Sequence, residues 1–194
     1  MSNPEFNNAR GSASSLQFTP PFSFSDMTVS VFPLCAELTQ LQRFIDGYLN
    51  LDSENVRFEA VLPYVYLQIL DYGKMSIEAA NMGWVSQTEI AFCVPLRWMV
   101  KKKGEWVFHD WAVNCPFIFV DNELSMTTGR EVYGWPTVLA QIDPPINQWV
   151  GDPHGCQRAF DIKLPDMHAS AHAPGHICSL YPSYSSHALP SAPP

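Results

Sequence analysis

Glu89 is the residue whose setting most suggests chemistry. It opens an otherwise apolar run, Ile90 to Pro95, and Pro95 stands six positions after it. A carboxyl group held in apolar surroundings resists ionisation, because desolvation penalises the charged form, and it can then act as an acid or base near neutral pH. The plainer reading is a strand-end glutamate in water. The second candidate is the stretch from Cys115 to Ala140, with Asp121 and Asn122, then Gly129-Arg130-Glu131, then Gly134-Trp135-Pro136. Arg130 could hold a ligand carboxylate in a bidentate way, or pin its own loop to a sheet. Glu131, its neighbour, must point to a different side. Tyr133 and Trp135 flank Gly134, where two aromatics suit a small apolar pocket, or simply pack at a rim.

Other reactive side chains are weaker candidates. His168, His172 and His176, with Cys178, have the i, i+4, i+8 spacing that would align three imidazoles on a helix. Pro174 and Gly175 interrupt any such helix, so no metal is expected. His109, among tryptophans, reads as a packed ring. Five cysteines lack CxxC spacing, and Cys35, Cys93 and Cys115 lie in apolar company as small buried hydrophobes.

The elements that must position these groups follow from hydrophobic periodicity. Phe18, Phe22, Phe24, Met27, Val29 and Val31 alternate as a half-buried strand. Leu38, Leu41, Phe44, Ile45, Tyr48 and Leu49 recur at three and four, predicting an amphipathic helix over about Glu37 to Leu49. Arg57 to Tyr72 reads as one strand, with Pro63 marking an edge or bulge and Gln68 opposite Val65, Leu67 and Ile69. Gly73 and Lys74 read as a loop. Glu89 to Val100 and Glu105 to Val120 form a long hairpin about a Lys101-Lys102-Lys103-Gly104 turn, with a bend near Asn114 and Pro116. Asp121 and Asn122 cap a short helix over Glu123 to Thr128 that Gly129 stops, and Gly134 admits a close backbone approach. One more strand is expected over Gln157 to Leu164. Many strands, one good helix and hairpin connections predict a mainly β fold with minor α, a closed or partly closed barrel.

Residues 1–16 read as a disordered tail, 17–165 as the β domain, and 166–194, rich in His, Pro and Ser, as a low-complexity tail. A net charge of −8 gives no electrostatic footprint for nucleic acid or an anionic membrane. No apolar run approaches the roughly 18 residues of a membrane helix, and the N-terminus lacks a secretory core. The expected setting is reducing and cytoplasmic.

Asp121, Gly129-Arg130-Glu131 and Gly134-Trp135-Pro136, together with Glu89 and Pro95, resemble the signature of the acetoacetate decarboxylase family. The resemblance runs from about Phe18 to about Lys163 and implies the family's β cone, with a pocket inside it and no cofactor. It places Glu89 against the substrate, and it puts Gln68 where relatives carry a second pocket carboxylate. The residue after the proline is, in that family, the lysine that forms a Schiff base with the keto acid; here it is Thr137. A hydroxyl cannot form an iminium. The segment Phe24 to Thr28 also has no arginine where relatives place one. The resemblance thus implies a small oxo-acid or apolar ligand, bound without Schiff-base decarboxylation. One alternative is lyase-type chemistry on Glu89, and another is a shortened, non-catalytic product. Relatives continue with strands that finish the cone, and unfinished edges would favour a homo-oligomer. Lys74 could in principle reach the pocket from a different strand and stand in for the missing lysine, but its place in a polar loop makes it a poor substitute.

Overall fold

The structure, a computed structural model, describes residues 21–51, 53–77, 83–143, 160–164 and 175–180. It divides into two compact units, Met1–Val138 and Leu139–Pro194. The first is built from β1 (Phe22–Cys35), α1 (Leu38–Tyr48), β2 (Val56–Ala60), β3 (Tyr64–Ile77), β4 (Val85–Lys102), β5 (Glu105–Val120), α2 (Glu123–Tyr133) and the start of β6 (Thr137–Leu139). The strand order is β1-β3-β4-β5-β6, with β2 also on β4. Mainly β with minor α therefore holds, but the described strands do not close: the path ends at β1 and at β6.

Local sequence explains the irregularities of this sheet. The expected single strand over Arg57 to Tyr72 is two strands laid end to end along β4. Phe58 and Ala60 face Trp98 and Leu96, while Tyr66 and Gln68 face Cys93 and Ala91. The break falls at Pro63, which has no N–H for the ladder and whose carbonyl accepts from the Ala36 N–H at 2.9 Å. Gly73 and Lys74 are not a loop but lie inside β3, at a register shift against β4 between Tyr72 and Met75. There Asp26 takes a left-handed φ of 54°. A Cβ on Gly73 would sit 2.8 Å from Asp26, so only glycine lets the two strands cross this point.

Helix α1 lies on one face of the sheet. Leu41 and Ile45 pack with Ala60, Val94 and Leu96 in one core cluster. Burying each large aliphatic side chain is worth about 1.5–3 kcal/mol. Its flank does something else. Gln42 accepts from the Ala60 N–H at 2.8 Å, and Asn50 both accepts from the Phe58 N–H at 2.8 Å and donates to the Phe58 carbonyl at 2.9 Å.

The β4–β5 hairpin carries the expected bend as a bulge. Phe92 pairs with Phe117 and Val94 with Asn114, which leaves Cys115 and Pro116 opposite Cys93 alone.

In the second unit, β7 (Gln141–Asp143), β8 (Phe160–Leu164) and β9 (Gly175–Leu180) form an antiparallel sheet in that order. Lys163 pairs with Asp143 within it. The β9 strand lies where sequence periodicity suggests only a tail. Residues 1–20, His168, His172 and Cys156 lie outside the described residues.

Candidate functional site

A cleft of about 470 Å³ opens in the first unit between the β1–β3–β4 end of the sheet and helix α2. Its walls are largely apolar: Phe22, Phe24, Met27, Met75, Ile77, Trp84, Val85 and Leu124, with Tyr133 and Trp135. Phe22 and Phe24 reach it together with Met27, although strict alternation would put Met27 on the other side. The left-handed Asp26 between them resets the phase of the strand. The polar lining comes from Tyr72, Ser76, Gln87, Glu89, Asn122, Ser125, Thr128 and Thr137. Among the described lining residues there is no lysine or arginine.

Glu89 is where the sequence suggests, on the cleft wall, although within β4 and not at its start. Burial pushes its carboxyl above the ordinary glutamate range, against the opposing effect of a hydrogen bond from Gln87 Nε2 at 3.1 Å. Tyr72 shares the wall, its phenol pushed up to about 12 by burial and then by the Glu89 charge, so it stays a neutral donor. Gln87 is buried, and its Oε1 has no hydrogen-bond partner among the described residues. Sequence reasoning missed Tyr72 and Gln87. The Gln87–Glu89 spacing, two apart on one strand face, is the signal that could have found Gln87.

Helix α2 forms the other wall, and it is longer than expected. Asn122 caps it, accepting from the Leu124 and Ser125 N–H groups at 3.0 and 3.1 Å. Asp121 does not cap the helix but accepts from the Thr88 N–H at 2.8 Å, tying the turn to β4. Gly129 does not stop the helix. It is buried, and a Cβ there would come to 3.0 Å from the Thr137 side chain, so its smallness lets β6 approach. The stop is Gly134, left-handed at φ 68°, with nothing near its missing Cβ. The expected roles of the two glycines are thus exchanged.

Thr137 is 2% exposed and fully engaged. Its hydroxyl donates to the Met126 carbonyl at 3.0 Å, and its own carbonyl accepts from Arg130 Nη1 at 3.0 Å. Arg130 is therefore a helix residue that pins β6, with no place on the cleft wall. Glu131 is exposed on the same helix and does not line the cleft either. Gln68 pairs with Ala91, two positions along β4 from Glu89, and stays outside the cleft. Tyr133 and Trp135 do flank it, stacked at 4.8 Å between centroids and half-exposed at its mouth. Lys74 pairs with Asp26 at 3.0 Å and lies 5.9 Å over the Trp84 ring. His109 packs edge-on against Trp98 at 4.5 Å. No cluster of metal-ligating side chains occurs among the described residues.

The acetoacetate decarboxylase family profile matches residues 9–147, most of the chain. The chain belongs to the acetoacetate decarboxylase family. A solved structure with the same fold is acetoacetate decarboxylase from Legionella pneumophila, 18% identical, with a TM-score of 0.54 over 82% of this chain and 52% of that one. This chain thus spans about half the length of that family member. No curated protein matches it significantly. The Asn122 cap, Gly129, Gly134 and the turn into β6 surround position 137, where this chain has a threonine.

Proposed function

We propose that the cleft binds a small, uncharged oxo-compound, and that the chain does not decarboxylate a keto acid through a Schiff base. One observation carries the reading: Thr137, which the sequence resemblance aligns with the family's lysine, is buried and has both its hydroxyl and its carbonyl committed to α2. An iminium needs a primary amine, and a hydroxyl offers none. The lining favours a neutral ligand over an acid. A carboxylate would meet Glu89 with no cation beside it among the described lining residues, whereas a carbonyl oxygen can accept from Tyr72. The apolar walls supply the remaining affinity.

Incubation with acetoacetate and borohydride, followed by intact mass measurement, tests the chemical half. No added mass is expected, and a covalent adduct on any lysine overturns it. Titration of tryptophan fluorescence with acetone and with acetoacetate tests the ligand half, since Trp84 and Trp135 line the cleft. Tighter binding of the acid would reverse the preference.

A second reading is favoured by the raised Glu89 carboxyl itself, which could move a proton in enolisation, hydration or dehydration of an oxo-compound. Turnover of such a compound that falls about 10²–10⁴-fold in Glu89→Gln supports it. Turnover that persists in the variant removes it.

A further inference from the structure

The bulge in the β4–β5 hairpin places two thiols together. Cys93 Sγ and Cys115 Sγ are 3.1 Å apart, within hydrogen-bonding distance for sulfur. We propose that Cys93 and Cys115 form a peroxide-reactive dithiol, a modification site that takes a hydroperoxide as oxidant and closes to a disulfide across the bulge.

In a regular antiparallel ladder each residue faces one partner; here two residues of β5 oppose Cys93, and the extra length swings the Cys115 sulfur onto it. A disulfide needs sulfurs about 2.05 Å apart, so closure asks for about 1 Å of movement. Extra, unpaired backbone at a bulge is where a strand yields most easily. The two thiols also differ in access: Cys93 is buried at 2% exposure, while Cys115 is half-buried. Their hydrogen bond holds the Cys115 thiol below its ordinary range and pushes Cys93 up, which makes Cys115 the sulfur that meets the oxidant. The apolar surroundings are Ala91, Ile118 and Val120, with Tyr66 and Met126 beside them. The Glu89 charge also acts on both thiols, in the raising direction, and no metal-ligating cluster occurs among the described residues.

The chemistry balances in two steps. The Cys115 sulfur attacks the near oxygen of the hydroperoxide; an S–O bond forms, the O–O bond breaks, and the alcohol (or water, from hydrogen peroxide) leaves with the thiol proton. The Cys93 sulfur then attacks the Cys115 sulfenic acid; the S–S bond forms and the S–O bond breaks. Water leaves, carrying the Cys93 proton. Two thiols lose two electrons and two protons, and one hydroperoxide is reduced.

The test uses the full chain treated with hydrogen peroxide, capped with N-ethylmaleimide, digested with trypsin without reductant, and mapped by mass. Arg97 and Lys101 to Lys103 lie between the two cysteines, so a link joins two peptides that otherwise separate. The expected result is a Cys93–Cys115 linked peptide, at least about tenfold more abundant from the folded chain than from chain oxidised in urea, since the fold supplies the proximity. Dithiothreitol returns both thiols, and Cys93→Ser leaves a dimedone-trappable sulfenic acid on Cys115. Recovery of both residues as separate maleimide adducts overturns the proposal. So does a link from Cys93 to Cys35, Cys156 or Cys178, or an equal yield in urea.

Discussion

Helices α1 and α2 are each eleven residues long and sit on the same unit, yet different forces hold them. Helix α1 has no side-chain cap bond from Glu37, no acidic residue in its first turn and no basic residue in its last. It stays because Leu41 and Ile45 are buried against β2 and β4. Helix α2 buries only Thr128 and Gly129. It is held by its ends and by polar ties: Asn122 at the start, Glu123 in the first turn, Arg130 in the last, Gly134 beyond, and Thr137 bonded back to it. The buried anchor of the helix that supports the fold is apolar, with the Gln42 and Asn50 amides tying its flank to β2, whereas the helix that walls the cleft relies on hydrogen bonds. A wall held by directional bonds is placed accurately but can loosen without unfolding the sheet.

Four substitutions test that division, from the largest effect down. Ile45→Ala removes the most buried residue of α1 and should cost about 2–5 kcal/mol in urea unfolding, with the whole unit melting at lower denaturant. A loss under about 1 kcal/mol would mean α1 is not the keystone. Thr137→Val keeps shape and takes away the hydroxyl, leaving the Met126 carbonyl without this donor; about 1–3 kcal/mol is expected. Hydrogen exchange should show the loss concentrated in α2, and uniform loss of protection across the sheet would contradict the division. Asn122→Ala should cost about 1 kcal/mol through the lost cap, with fraying at Glu123 to Met126 seen first. Unchanged exchange there would show that the cap is dispensable.

The smallest effect belongs to Glu89→Gln and is read against pH. Burial raises the Glu89 carboxyl, so the folded chain holds that proton more tightly than the unfolded chain. Stability from this group is greatest in acid and is lost as pH rises through its folded value. The glutamine variant lacks that loss. It should therefore gain on the parent as pH is raised from about 4 to about 7, a difference that thermal melts at several pH values would resolve. A gap that widens toward acid instead would mean the carboxylate is stabilised in the cleft.

What could be read from the sequence divides along the same line. Helix α1 was legible, because apolar burial writes a period of three and four into the chain. So were the β4–β5 hairpin, the discontinuity at Pro63 and the cleft carboxylate Glu89. Helix α2 was legible only in its first half. A glycine in a helix looks the same whether it ends the helix or lets a strand approach it, and Gly129 and Gly134 were read the wrong way round. That error shortened the helix and put Arg130 and Glu131 on a turn at the pocket rim. Gln68 was placed on the correct side of its strand, but which stretch of that face becomes cleft depends on where α2 packs. Simple alternation through Phe24 and Met27 passes over the phase change at Asp26, the kink that turns three side chains into one wall.

The amide side chains of Gln42 and Asn50 carry one more consequence. They occupy outward backbone groups of Phe58 and Ala60, the groups on which a strand from another molecule would begin to add. The short strand β2 is thus closed to recruitment by a piece of its own chain, at no cost in buried apolar area. Self-association of the folded unit by strand addition is steered away from that flank, and Gln42→Ala with Asn50→Ala would open a new direction for aggregates to grow.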